Sequence, residues 1–382
     1  MVVRPYFTHD KKVLPLDKVI ELERIDDWTF RSIVKAYSPT GAENGTYGGH
    51  VFAQAAWAAA QTVADGFLIH NITGYFILGG QPDEHFTYRV KRVRDGGNYC
   101  TRSITVTQIA AHGDMFTATC SFKREEMSPV SLQDSVDLKS LYRSVLQGKE
   151  SEPMLHMAEP SIDSDYFLET YLPAHPEHFN PTSGLHIRKV DMAPYNASRH
   201  PLDRRQLAFY TLRGSLPLPT APFPPPATGN LHLTKDANMH ACAHLYASDR
   251  NSLFIIPYHL DRPRDFTRMA SLSHTVIFHV GIRDLIMPAE PRIEHADAVP
   301  TAWEEGSLPL CNVGGDTGEA ACGSLGGDRD ADGRKWFVQE AWVTRAEGGR
   351  GLHQSRMWDW ERGVHVATTF QDGLVRFREG RL

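Results

Sequence analysis

The sequence predicts an α+β chain of two similar units in tandem, each a long helix wrapped by a curled antiparallel sheet. Three observations carry that reading. His50–Ala64 (HVFAQAAWAAAQTVA) is alanine-rich, free of Gly and Pro, and apolar over most of its circumference, as expected of a helix enclosed by a sheet. A second helix is predicted at Ala237–Leu253 (ANMHACAHLYASDRNSL). Around both helices the order repeats: a leading strand, the helix, then about four runs of strand character.

In chain order, Leu16–Ile33 mixes apolar and charged residues and reads as a first strand or a helix leading into one. A Gly-bearing loop follows at Gly41–Gly49. After the first helix come strand-like runs at 72–80, 85–96 and 99–125, the last divided at His112-Gly113-Asp114 by a hairpin turn. These complete an N-terminal unit, residues 1–125. The acidic and Pro-containing stretch 126–182, with a short helix expected at DYFLETYL, reads as a linker to a C-terminal unit at 183–382. That unit opens with LHIRKVD and RQLAFYTLRG. The run LPLPTAPFPPPATG at 216–229 cannot be a central strand, because proline donates no ladder hydrogen bond. After the second helix, a strand is expected at 271–279. Residues 287–334 turn to Gly, Asp, Glu, Ala and Pro and read as a mobile insertion. Three strands close the chain: KWFVQEAWVTRA, GLHQSRMWDWERG and VHVATTFQDGLVRFRE. The echo of MFTATCSFKRE in VHVATTFQDG suggests duplication and a register placing Phe122 over Phe370 and Lys123 over Gln371, with Trp57 opposite Asp249. A helix wrapped in a curled antiparallel sheet is the hotdog architecture, and two copies in one chain make a double hotdog.

At 382 residues the chain has room for two full cores. Its net charge of -6 argues against a nucleic-acid partner, which calls for a basic face. No stretch approaches the roughly 20 apolar residues of a membrane span, and the N-terminus lacks the apolar run of a secretory signal. Cys100, Cys120, Cys242, Cys311 and Cys322 are odd in number and irregularly spaced, which predicts reduced thiols and a cytoplasmic location. The terminal Gly380-Arg381-Leu382 is similar to the Ser-Lys-Leu peroxisomal signal, with Gly in place of Ser.

Asp249 is the residue whose position demands an explanation. At about 100° per residue it falls within about 60° of Cys242, Leu245 and Tyr246, the helix face turned to the core. A carboxylate on a buried stripe is costly unless it is partnered or used; the alternative is a surface residue at the end of a short helix. Ser271 and Gln371 offer polar side chains at the edges of strand-like runs C-terminal to it.

The chain resembles the type II acyl-CoA thioesterases of bacteria and peroxisomes. The residues responsible are Tyr47-Gly48-Gly49-His50-Val51 with Gln54, Tyr75-Phe76, and Val93-Arg94-Asp95-Gly96 in the first half. In the second they are Tyr246-Ala247-Ser248-Asp249 with Asn251, His274 with Phe278-His279, and Gln371-Asp372-Gly373. The resemblance implies a double hotdog and hydrolysis of a hydrophobic acyl-CoA, with no cofactor. It implies that Asp249, Gln371 and a hydroxyl together position a water. Ser271 matches that hydroxyl, in Ala270-Ser271-Leu272-Ser273-His274 where the family has A-T-I-D-H. Ser273 stands where the family has Asp and is a rival for the hydroxyl, or a substrate contact. Val280 replaces the usual Arg after the Phe-His pair.

The chemistry suits these residues on its own terms. Water attacks a thioester carbonyl directly, so no cysteine nucleophile is needed, and a buried carboxylate with a raised pKa can take the water's proton. Gln and Ser supply the hydrogen bonds that hold the water or the oxyanion. Gly48-Gly49 before a helix could cradle a phosphate of coenzyme A, or simply permit a tight turn. His240/His244 and His274/His279 lack a third metal ligand and read as packed or solvated; Asp328–Asp332 lacks the remaining ligands of a calcium loop; Trp358/Trp360 reads as sheet packing. The first half lacks the reactive set, so one site per chain is expected, in a homodimer or higher homo-oligomer. Two other functions fit less well: release of a polyketide-type acyl thioester from a carrier protein, and non-enzymatic acyl binding, against which both Asp249 and Gln371 count.

Overall fold

The computed structural model describes residues 13–36, 45–82, 84–158, 167–174, 182–217, 233–250, 252–289 and 333–378. Most of the expected insertion, the proline-rich run from residue 218, Asn251, the Asp328–Asp332 cluster and the C-terminal tripeptide lie outside the described residues.

The N-terminal unit comprises α1 (Leu16–Ile20), β1 (Leu22–Arg24), β2 (Thr29–Ser32), α2 (Gly48–Ala60), β3 (Phe67–Phe76), β4 (Thr87–Asp95), β5 (Tyr99–Thr107) and β6 (Phe116–Arg124). The connection holds α3 (Leu138–Leu141), α4 (Arg143–Leu146), β7 (Met157–Ala158) and α5 (Leu172–Ala174). The C-terminal unit follows with β8 (Leu185–Lys189), α6 (Ala193–Asn196), β9 (Gln206–Leu212), α7 (Ala237–Ser248), α8 (Ile255–His259), β10 (Phe266–Phe278), α9 (Ile282–Leu285), β11 (Phe337–Glu347), β12 (Arg350–Asp359) and β13 (Val364–Phe377).

Among the described residues the strands form one antiparallel sheet, ordered β1-β2-β4-β5-β6-β3-β10-β13-β12-β11-β9-β8-β7. The two units therefore meet edge to edge through β3 and β10, with Thr73 opposite Thr275. Joining them there leaves neither unit with an open strand edge at the centre of the molecule. Every residue of α2 from Gly49 to Ala60 is buried, as is every residue of α7. Small side chains at Ala53, Ala56, Ala60, Ala241 and Ala247 allow this close enclosure.

The helices pack antiparallel. The start of α2 meets the end of α7, where Tyr47 Oη donates to the Tyr246 carbonyl at 2.5 Å. At the other end Lys235 Nζ donates to the Gln61 carbonyl at 3.0 Å.

The duplication is visible in the irregularities of the sheet. β4 and β5 slip between Arg92 and Arg94, and β11 and β12 slip between Val343 and Arg345. β3 and β6 slip between Ile69 and Asn71, and β10 and β13 between Ser271 and Ser273. Matching these bulges fixes the register through the pairings Arg102↔Cys120 and His353↔Gln371. Cys120, not Lys123, is thus the counterpart of Gln371, and Ile69 is the counterpart of Ser271. The residue capping α2 is Gln61 and that capping α7 is Asp249, so Gln61 replaces Trp57 as the counterpart of Asp249. The register expected from MFTATCSFKRE and VHVATTFQDG was three residues out. A short echo of small and β-branched residues does not define strand phase, whereas a bulge does. Phe122 and Phe370 are accordingly inequivalent: the first is wholly buried, the second 38% exposed.

The connection also does more than join the units. Alternation sends Phe337, Met357 and Tyr210 to the α7 side of the sheet and Val338, Trp358 and Phe209 to the other. Leu138, Tyr142, Val145 and Leu146 cover that second face, and Trp336 and Trp360 join them. Tyr142 Oη donates to the buried Glu340 carboxylate at 2.5 Å, which Arg356 also binds through Nη2 at 2.9 Å. The Trp358/Trp360 pair is sheet packing, beneath α3 and α4.

Candidate active site

The site lies where α7 ends. The predicted helix through Leu253 stops instead at Ser248, and Asp249 caps it with φ -94° and ψ 2°. The chain turns there, so Asp249 projects toward the start of α2 rather than along the helix face. Its side chain is 8% exposed.

Three groups converge on the Asp249 carboxylate. Gln371 Nε2 donates to Oδ1 at 2.7 Å, Ser252 Oγ donates to the same oxygen at 3.3 Å, and the Gly49 N–H donates from the first turn of α2. Gln371 Nε2 also donates to Ser271 Oγ at 2.8 Å. Gln371 is fully buried on β13 and Ser271 half-buried on β10. The bulge between Ser271 and Ser273 lets Ser271 reach the side of the sheet that Gln371 occupies.

Burial raises the Asp249 carboxyl to about 6, against the lowering pull of Gln371, Ser252, the Gly49 N–H and Arg250. Desolvation wins because the donors are neutral while the environment is dry. The positive end of α2 stabilises the anion only in part.

Gly48 and Gly49 serve this approach directly. A Cβ on Gly48 would stand 2.6 Å from Asp249 Oδ2, and one on Gly49 would stand 2.6 Å from the Tyr246 carbonyl oxygen. The two glycines admit α7 to the start of α2.

Ser273 is not brought to the site. It pairs with Asp372, on the face opposite the His274–Gln371 pair, and Asp372 is held there by Arg350. Val280 packs against the main core. His244 lies between Tyr210 Oη at 2.8 Å and the Leu285 carbonyl at 3.0 Å, and His240 binds the Pro217 carbonyl at 3.1 Å. Both act as core hydrogen-bonding groups. At the equivalent place in the N-terminal unit stand Gln61, Ile69 and Cys120, which offer no carboxylate, hydroxyl or amide in the same arrangement.

Two features escaped the sequence reading. Ser252, three residues after Asp249, matches the spacing of a turn that folds back on its own carboxylate. Behind the site runs a buried polar chain: Ser248 Oγ with His274 Nε2 at 2.8 Å, Gln339 Nε2 to the Ser248 carbonyl at 3.1 Å, Gln339 Nε2 to Ser355 Oγ at 2.9 Å, and Ser355 Oγ with Thr369 Oγ1 at 2.6 Å. Alternating His353, Ser355 and Met357 on β12 was the available signal for it.

Comparison with known proteins accords with this fold. The family model for the acyl-CoA thioesterase N-terminal domain matches residues 37–123. Acyl-coenzyme A thioesterase 8 of Mus musculus is 24% identical over 381 residues, covering 97% of this chain and 91% of the mouse protein. Peroxisomal acyl-coenzyme A thioester hydrolase 1 of Saccharomyces cerevisiae is 25% identical over 297 residues, 69% of this chain and 80% of its own. The crystal structure of an acyl-CoA thioesterase II from Mycobacterium marinum superposes with a TM-score of 0.56 at 20% identity, over 96% of this chain and 99% of that one. Fold and comparisons together define a double hotdog protein of the thioesterase class. Within that class, the chain is similar to the type II acyl-CoA thioesterases.

Proposed function

We propose that the protein hydrolyses hydrophobic acyl-CoA thioesters to the free acid and coenzyme A, using a water positioned by Asp249, Gln371 and Ser271. The observation that carries this reading is the joining of three side chains, from the end of α7, β13 and β10, through Gln371 Nε2, which donates to the buried Asp249 carboxylate and to Ser271 Oγ. Asp249, raised to about 6, is ionised at neutral pH yet basic enough to accept a proton. Water oxygen bonds to the thioester carbonyl carbon while Asp249 takes its proton. The tetrahedral intermediate then collapses, the C–S bond breaks, and the thiolate leaves with a proton returned from Asp249. Gln371, with both amide protons committed to Asp249 and Ser271, fixes these two groups, and the Ser271 hydroxyl supplies a hydrogen bond to the water and to the charge that develops.

An apolar surround supports a hydrophobic acyl group: Phe76 lies against Gly48, Leu253 against Gly373 and Ile256 against Gly351. Exposed Tyr75, Ile77 and Leu78 support a homo-oligomeric assembly. The peroxisomal name of the yeast relative supports a peroxisomal location. The test is release of free thiol across acyl-CoAs of graded chain length by the wild type and by Asp249→Asn. Turnover by the wild type that the variant loses is the expected result; undiminished turnover by the variant would remove Asp249 from the mechanism.

A further inference from the structure

The Gln371 amide makes its two contacts through one end only. Nε2 donates to Asp249 Oδ1 at 2.7 Å and to Ser271 Oγ at 2.8 Å, which uses both of its protons. Oε1, at the other end, is buried and has no hydrogen-bond partner among the described residues. A buried amide oxygen without a donor is rare in folded proteins, and here the orientation of the whole amide depends on that end. Were the amide to turn over, Oε1 would face the Asp249 carboxylate.

Directly across the ladder from Gln371 stands His353, its antiparallel partner on β12. Paired residues project to the same face, with Cβ atoms about 4.5–5.5 Å apart. His353 is 0% exposed, and neither Nδ1 nor Nε2 has a partner among the described residues. On the other side of Gln371 lies His274, whose Nε2 is engaged with Ser248. Burial holds the His353 ring neutral, far below the ordinary imidazole range at about 3, so one ring nitrogen carries a proton it can donate. An orphan acceptor and an orphan donor therefore share one rung of the sheet, behind the atoms that hold the water.

We propose that His353 is a positioning residue for the thioester-hydrolysing site: its ring N–H, through one water, binds Gln371 Oε1 and fixes the amide with Nε2 toward Asp249 and Ser271. The inference rests on the thioesterase reading and deepens it. His353 touches no reacting atom; it acts through Gln371.

The test compares His353→Asn with His353→Leu, two side chains of nearly equal shape of which only Asn can donate. With purified full-length protein and one acyl-CoA, His353→Leu should lose about tenfold or more in kcat with KM nearly unchanged. His353→Asn should recover at least about fivefold of that loss. Equal kcat for the two variants, with Asp249→Asn inactive, would overturn the His353 assignment and leave the thioesterase reading intact. Turnover retained by Asp249→Asn would instead reject that reading. Should either His353 variant fail to fold, wild-type protein labelled with 15N at histidine decides the structural claim. A slowly exchanging imidazole N–H proton close to the Gln371 side-chain protons supports it, and a freely exchanging His353 ring overturns it.

Discussion

Gln371 and Asp249, 122 residues apart in sequence, are joined by a 2.7 Å hydrogen bond between Nε2 and Oδ1 inside the protein. One residue ends a helix and the other lies in the last strand, and only the curling of that strand around the helix brings them together. The bond fixes which carboxylate oxygen Gln371 occupies and leaves Oδ2 on the Gly48 side.

Asp249→Asn should lower turnover by about 10²-fold or more, the usual scale for a general base. Wild-type kcat/KM should rise with pH through about 6, because the unprotonated carboxylate is the active form. Thiol release followed from pH 4.5 to 8 checks both; a flat profile over that range would contradict the assignment.

The same substitution should stabilise the protein at neutral pH. The folded-state pKa of Asp249 lies above the ordinary value of 3.8, so the native state binds the proton more tightly than the unfolded chain. Stability from this group is fully present below about pH 4 and declines as pH rises through about 6. Removing the charge should therefore gain up to roughly 3 kcal/mol at pH 8 and almost nothing at pH 4. Denaturant unfolding of both proteins at the two pH values measures this.

Gly48→Ala and Gly49→Ala should fail differently. The first would push a methyl toward the Asp249 Oδ2 atom and the Phe76 ring, displacing the carboxylate and costing turnover. The second would press on the Tyr246 backbone carbonyl, which cannot move without shifting α7, at a cost of about 1–3 kcal/mol. Activity and thermal midpoint, measured together, separate the two.

Ser271→Ala should reduce kcat more than it raises KM, because the hydroxyl acts beside Gln371 in the transition state. Ser273→Ala, on the outer face with Asp372, should leave both parameters within about twofold. A larger effect at Ser273 than at Ser271 would reverse the roles.

Phe122→Ala should destabilise by about 3–5 kcal/mol, and Phe370→Ala by much less. Phe122 is fully enclosed beneath α2, whereas Phe370 is 38% exposed. Equal losses would restore the register in which the two phenylalanines correspond.

Much of this protein was legible in its sequence. The alanine-rich run of α2, the alternation along β4 to β6 and β11 to β13, and the improbability of an Asp on the buried side of α7 are local properties. Periodicity and burial cost express them without reference to distant residues. Asp249 could be nominated for that reason, and Ser271 and Gln371 through the resemblance of the motifs around them. The tertiary structure decided what depends on phase and approach. It ended α7 at Ser248, so that Asp249 meets Gly49. It placed a bulge after Ser271 that turns Ser271 toward Gln371 and Ser273 away. It also made Cys120 and Ile69 the silent counterparts of Gln371 and Ser271. A one-residue slip in a strand moves every side chain to the opposite face, and the sequence of a single strand does not encode which neighbour it will be phased against.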